Sequence, residues 1–326
     1  MTDVKGPDAI ARFRDLDTAR GGGMLLVVVG HMPQFAAAKF WIYLFHMPLF
    51  FIVSGILFKP RSPWSYSMGR TRSLMLPYLV FFAVVLLFDN AIAQVSGVAP
   101  SLNLADPRQI ILRFFYGGPS LYGAYAAFWF VGCLWISLVV LNSIGSIGKP
   151  TSWSAAIIIV GFIAIAMIEH PGLPSPQGIA SVPIAVVFLW SGCVLAEQRH
   201  RRHLIFAICA ILSILSLPFV GAFDMKMSAV GNLANIVAAF SLSACWLGVS
   251  YHLDRVAYVG YALAAIGRAS ITIMFLHALF LVHGAALIGN RYLLAIVALI
   301  APVCVHWLLE SNAIISKYVF GRSFVV

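Results

Sequence analysis

From residue 21 to residue 309 apolar positions dominate the chain, and they come in long, nearly uninterrupted runs. Ten runs stand out, near 21–38, 40–58, 74–96, 124–142, 154–168, 181–196, 204–220, 229–248, 270–288 and 292–309. Each approaches the roughly 20 residues that a helix needs to cross a hydrocarbon core about 30 Å thick. The short alternating segments of a membrane β-barrel are absent. The pattern predicts an all-α polytopic membrane protein with about ten transmembrane helices. An even number of spans puts both termini on one side. The chain divides into an N-terminal tail (1–20), a transmembrane body (21–309) and a C-terminal tail (310–326).

Composition supports this. The chain is 61% hydrophobic and 10% charged, against about 25% charged for a soluble domain. Its net charge of +10 would suit nucleic acid if the basic residues formed a face. Instead they sit in short gaps between apolar runs. Sixteen of the 21 Lys and Arg fall on the side that carries the N-terminus; only Lys39, Arg108, Arg113, Lys226 and Arg291 fall opposite. The positive-inside rule then predicts cytoplasmic termini, and no nucleic-acid partner is expected. The first twenty residues are polar, so no cleavable signal peptide is expected, and the first run serves as the insertion signal. Cys133, Cys193, Cys209, Cys245 and Cys304 lack metal-ligand spacing and read as small core residues. No metal is expected.

Three gaps have character. DPRQIILRFFY, in 97–123, reads as a short helix with Pro near its start, lying in the membrane interface. EHPGLPSPQGIAS reads as an ordered loop with turns. EQRHRRHL is a basic cluster facing anionic lipid or an anionic ligand.

Candidate chemistry lies in GHMPQFAAAKFWIYLFHMPLFF, residues 30–51, which carries His-Met-Pro at His31 and at His46. Arg20 marks the foot of the first run, and His31 lies eleven residues on, about 16 Å along a helix. His46 is thirteen residues before Lys59, about 20 Å up the second run. A hairpin turning near Ala38 and Lys39 brings both rings to similar depth near the bilayer middle. Pro33 and Pro48 lack an N–H, so the carbonyls of Val29 and Leu44 are expected to be free. Such backbone is tolerated at membrane depth where it is buried or lines a wet cavity. A polar pocket between the two helices follows, and ionisable groups inside a membrane are functional by default. Imidazole can take a proton from a hydroxyl and return it. Neither a serine-nucleophile elbow, nor HExxH, nor a phosphate-binding Gly-rich loop is present. Gly21–Gly23 is expected to permit close helix packing or close ligand approach. A transporter of a glycolipid or proton-coupled solute is the alternative class, since broken helices with midplane polar residues occur there too.

DLDTARGGGMLLVVVGHMPQF, FHMPLFFIVSGILFKP and RTRSLMLPYLVFF, with the later AFWFVGCLW and GRASITIMFLHALF, resemble acyltransferase family 3, the integral-membrane O-acyltransferases. The likeness is greatest to the fucose 4-O-acetylase-like branch and is dense over residues 14–82. One departure is Gly22-Gly23-Met24, where members commonly carry an Ile-Ala-Ile-like run. The resemblance implies transfer of an acetyl or other short acyl group from cytoplasmic acyl-CoA, with acetyl-CoA as co-substrate. The acceptor it implies is a hydroxyl of a saccharide or lipid-linked glycan. It also implies an integral protein of the bacterial inner membrane. Arg20 and His31 match the family's Arg-x10-His pair, in which the His is essential and the Arg binds donor.

On that basis His31 is the expected catalytic base or, alternatively, an acyl-imidazole relay. His46 would bind the acceptor, stabilise the oxyanion or share the proton. Asp17 would pair with Arg20 on one helix face. Arg61, Arg70, Arg72 and Arg268 would meet the donor's phosphates, which the guanidinium fork suits. The donor's arm would pass Gly21–Gly23. His277 would complete the pocket. Trp129 would stack on a sugar or serve as an interfacial anchor. Asp89 and Glu310 would be acceptor contacts or interfacial residues, and His283 and His306 structural.

Overall fold

A computed structural model of the chain describes residues 7–145, 149, 151–168 and 175–320. Among these the fold is helical: α1 (Pro7–Gly30), α2 (Ala36–Ile56), α3 (Pro63–Arg70), α4 (Leu76–Ser96), α5 (Pro107–Tyr116), α6 (Trp129–Gly145) and α7 (Trp153–Met167). The second half holds α8 (Val182–Glu197), α9 (Arg202–Ser216), α10 (Leu233–Leu253), α11 (Ala257–Arg268), α12 (Ser270–Leu287), α13 (Arg291–Ser311) and α14 (Ala313–Phe320). A π-helical turn, Thr71–Met75, joins α3 to α4.

Among the described residues eight helical segments are long and apolar enough to cross a membrane. They account for eight of the ten apolar runs. The other two coincide with α1 and α7. α7 has 15 residues. α1 carries Arg14, Asp15, Asp17 and Arg20 ahead of its last ten residues, which leaves only Gly21–Gly30 apolar before it stops. DPRQIILRFFY forms α5, capped by Asp106, whose carboxylate accepts from the Gln109 amide at 2.9 Å. Of the Pro- and Gly-rich loop expected over 169–181, residues 169–174 lie outside the described residues. Pro176–Ser181 is 3-10 helix.

Small residues bring the central helices together. A Cβ on Gly21 would lie 1.9 Å from the Leu263 carbonyl, and one on Gly267 would lie 1.8 Å from that of Asp17. α1 and α11 therefore cross almost backbone to backbone. α2 and α8 do the same: a Cβ on Gly55 would meet the Leu189 carbonyl at 1.9 Å. Such approach suits a bilayer, where dispersion and not water exclusion holds helices together. Gly22 faces Trp246 of α10, and Gly23 faces Leu49 and Phe50 of α2. All three glycines are buried, so Gly21–Gly23 is a packing node for four helices and not the passage for a donor arm.

Asp89 of α4 is also no interfacial residue. It is fully buried, receives the Nε2–H of His283 at 2.7 Å, and accepts the Ser101 amide at 2.7 Å. The Ser96 hydroxyl meets His283 Nδ1 at 2.9 Å. This cluster ties α4 to α12 and to the chain that follows α4. Cys133, Cys193 and Cys209 are buried, but Cys304 is exposed, because α13 has only a third of its apolar stretch inside the protein.

Candidate active site

The hairpin of α1 and α2 turns earlier than the apolar runs suggest, at residues 31–35 and not at Ala38 and Lys39. The cause is Pro33. Its missing N–H ends the helix, and Met32 before it takes an extended conformation (φ −98°, ψ 128°), as residues before proline do. The last turn tightens. The His31 amide reaches Val28 O at 3.2 Å, and the Met32 amide reaches Val29 O at 3.1 Å. The Val29 carbonyl is therefore engaged, and Val27 O loses its usual amide donor instead. The His31 ring supplies one: its Nδ1 lies 2.7 Å from Val27 O. His31 thus sits at the broken end of α1, opposite Ile42 and Tyr43, against which Gly30 is packed.

His46 and His277 repeat that arrangement. Their Nδ1 atoms lie 2.7 Å from Ile42 O and 2.8 Å from Ile273 O. A carbonyl only accepts, so each Nδ1 carries the proton, and in the neutral ring each Nε2 holds the lone pair. The rings form one cluster. His31 and His277 have centroids 5.2 Å apart, His31 and Tyr43 6.0 Å, Tyr43 and His46 5.0 Å. His277 is fully buried, and its Nε2 has no hydrogen-bond partner.

Two cavities flank this cluster along the bundle. One, of about 300 Å³, is lined by His31, His46, Tyr43 and Trp129, with Asp224 and Lys226. The other, of about 240 Å³, is lined by Arg20, Ser54 and Arg70 among apolar side chains including Phe50 and Phe130. Met274 of α12 lines both. Neighbours on the same helices split between them. Trp129 faces the first and Phe130 the second; His46 and Met47 face the first and Phe50 the second.

Arg20 pairs with Asp17 at 3.2 Å. Arg70 also borders a third hollow of about 320 Å³ with Lys59 and Arg61. Asn142 holds the backbone of Arg61 from both sides, at 3.0 and 3.1 Å. Arg72 is exposed and lines none of these cavities. Trp129 is 6% exposed, so it is not an interfacial anchor. Among the described residues no three His, Cys, Asp or Glu side chains group to hold a metal ion.

Four lining residues escape sequence reasoning: Tyr43, Asp224, Lys226 and Met274. Asp224 and Ala229 pair in both directions across a tight turn, at 2.8 and 3.0 Å. Lys226 Nζ donates to Leu121 O, which draws this turn over the His31 cavity. The polar DMKMS between two apolar runs was the available signal.

The "Acyltransferase domain" model of acyltransferase family 3 matches residues 13–310. The nodulation protein NolL of Mesorhizobium japonicum is 28% identical over 177 residues. That alignment covers 48% of this chain and 44% of NolL. No solved structure matches the chain.

Proposed function

The chain belongs to acyltransferase family 3, and from that premise we propose that it moves an acetyl or other short acyl group between two cavities that meet at Met274. The donor is acyl-CoA, entering from the basic, cytoplasmic end. Its pantetheine arm occupies the Arg20 cavity, and its phosphates lie against Arg70, Arg61 and Lys59. Fork-shaped guanidinium donors suit phosphate. The acceptor is a hydroxyl of a saccharide or lipid-linked glycan, held in the opposite cavity by Trp129, Tyr43 and Lys226. The observation that carries this reading is the shared wall. A group passing Met274 leaves the chamber of Arg20 and arrives beside His31.

His31 is the general base. With Nδ1–H committed to Val27 O, its Nε2 accepts the acceptor's hydroxyl proton as the oxygen attacks the thioester carbonyl. The C–O bond forms and the C–S bond breaks. The imidazolium then returns its proton to the departing thiolate, so the ring ends neutral. His46 lies one ring beyond, through Tyr43, and shares the acceptor's polar contacts. Holding both substrates at one wall supplies orientation, the larger part of catalysis where no strong nucleophile is available.

The test is turnover by purified protein in liposomes. Acyl-CoA with a glycan acceptor should release free CoA, and His31→Ala should abolish release with the melting temperature kept. Arg20→Gln should raise the KM for acyl-CoA while leaving that for the acceptor. Release that persists in His31→Ala removes the base from the proposal.

A further inference from the structure

Outside the two substrate cavities the protein holds a larger hollow, of about 390 Å³, on the other side of α2. Its walls include Leu195 of α8, Ile205 and Phe206 of α9, and Leu247 of α10; its charged lining, at the mouth, is Lys59, Arg199 and Arg202 with one carboxylate, Asp15. The walls are apolar, and three basic groups against one carboxylate leave the mouth net positive. Consecutive helices make this shape. α8 packs on α2 and α6, whereas α9 packs on α10, so the two diverge from the short turn Arg199–Arg201 that joins them. The slot between them runs from the basic end of the bundle toward lipid. α9 is the span most exposed to the bilayer, with 17% of its apolar stretch buried.

The charge at the mouth is incomplete. Arg199 has a carboxylate partner, Asp15, at 3.6 Å. Arg202 and Arg255 meet on one side chain instead. Their guanidinium carbons lie 4.1 and 3.9 Å from the centroid of the Tyr251 ring, and both donate to its hydroxyl. Among the described residues neither pairs with a carboxylate within 4.0 Å. Two like charges gathered on one phenol are mutually repulsive, and an anion relieves that repulsion. A guanidinium that already stacks on an aromatic ring keeps its outer edge free for phosphate oxygens.

We propose that this slot binds one anionic phospholipid of the adjoining leaflet. The phosphodiester lies at Arg202 with Arg199, and one acyl chain runs along Ile205, Phe206, Leu195 and Leu247. Juxtamembrane arginines attract anionic headgroups, and an enclosed apolar slot adds chain burial. A nucleotide fits less well. The two guanidiniums take up the faces of Tyr251 that a base would stack on, and the one carboxylate of the lining, Asp15, is already paired with Arg199. The lipid would fill the gap between α8 and α9 and so brace α2, whose other face bears the substrate cavities.

Native mass spectrometry of the full chain tests this. Protein is taken from nanodiscs containing phosphatidylglycerol and phosphatidylcholine with the same chains. One phosphatidylglycerol should be retained at least tenfold over phosphatidylcholine. The double variant Arg202→Gln/Arg255→Gln should lose that preference at least tenfold, while Arg108→Gln, exposed at the opposite end, should keep it. Ile205→Trp fills the slot with the charges intact and should also lose it, which decides the matter if the double variant fails to fold. Equal retention of the two lipids, or retention unchanged in Ile205→Trp, overturns the proposal. Displacement by millimolar inorganic phosphate also overturns it, since the site is then a bare anion site. Displacement by CoA overturns it in favour of a donor subsite. The readout is lipid mass, so it stands or falls apart from acyl transfer.

Discussion

His31 and His277 meet edge to face, with ring planes at 71° and centroids 5.2 Å apart. Each is tied by Nδ1 to the carbonyl four residues before it. One ring ends a broken helix, and the other lies fully buried in the middle of α12. A polar atom buried without a partner costs about 1–3 kcal/mol, and His277 Nε2 is such an atom. Stability alone would favour an apolar residue there.

Under the proposed mechanism His277 is the polar neighbour that backs the His31 ring, although it lines neither cavity. His277→Phe should retain the fold, because a ring of similar size replaces the imidazole and the unpaired nitrogen goes. Turnover should fall by about 10²-fold, at the low end for loss of a group that handles a proton. Turnover and melting temperature are measured on the same preparation. Wild-type turnover in this variant would reduce His277 to packing.

Met274 separates the cavities with an unbranched side chain, which rearranges more readily than a β-branched one. Met274→Ala should widen the wall and admit water to the donor, so CoA release in the absence of acceptor should rise severalfold. Met274→Trp should close the passage and cut acceptor-dependent release at least tenfold. If both variants behave as wild type in both assays, acyl transfer does not pass this wall.

The apolar runs reveal the helices because a bilayer demands length and little else. The same runs conceal where a helix breaks inside a run, and there the site forms. Pro33 and Pro48 look alike in sequence, yet Pro33 ends α1 while Pro48 sits inside α2. α11 escapes notice because its 12 residues are too few to register as a span, although it packs against α1 through Gly267 and Gly21. His31, His46 and His277 stand out as rare ionisable groups in apolar surroundings. Met274 and Tyr43 do not, since one more Met or Tyr in a membrane protein carries no signal until its neighbours are known.

Asp89 and His283 form a buried pair, the carboxylate being shared between a ring N–H and the backbone amides of Ser101 and Leu102. Breaking such a pair by removing one partner costs roughly 3–5 kcal/mol, because the other is left buried and unmatched. Asp89→Asn turns an amide N–H toward either the His283 ring or the Ser101 and Leu102 amides, all donors, so it should lower thermal stability nearly as much as Asp89→Ala. His283→Gln, which can still donate to the carboxylate, should cost less. Melting in detergent, followed by intrinsic fluorescence, ranks the three. Asp89→Asn melting with wild type would contradict the shared-carboxylate geometry.

Lys226 supplies a pH test of the turn that covers the His31 cavity. Burial pushes its pKa below the ordinary 10.5, and Asp224 opposes this only in part. Between the lowered folded value and 10.5 the unfolded chain therefore holds more protons than the folded one, so stability rises with pH across that window. Below the folded value both states are protonated, and the burial cost is present in full. The melting temperature of the wild type should thus gain on that of Lys226→Met as pH rises toward 10.5, with a flat difference at lower pH. The same variant should raise the acceptor's KM more than it lowers kcat if, as proposed, Lys226 holds the acceptor and touches no reacting atom. A difference in melting temperature that falls with rising pH would mean that the ammonium group is stabilised where it lies, and the turn would then be held by charge and not in spite of it.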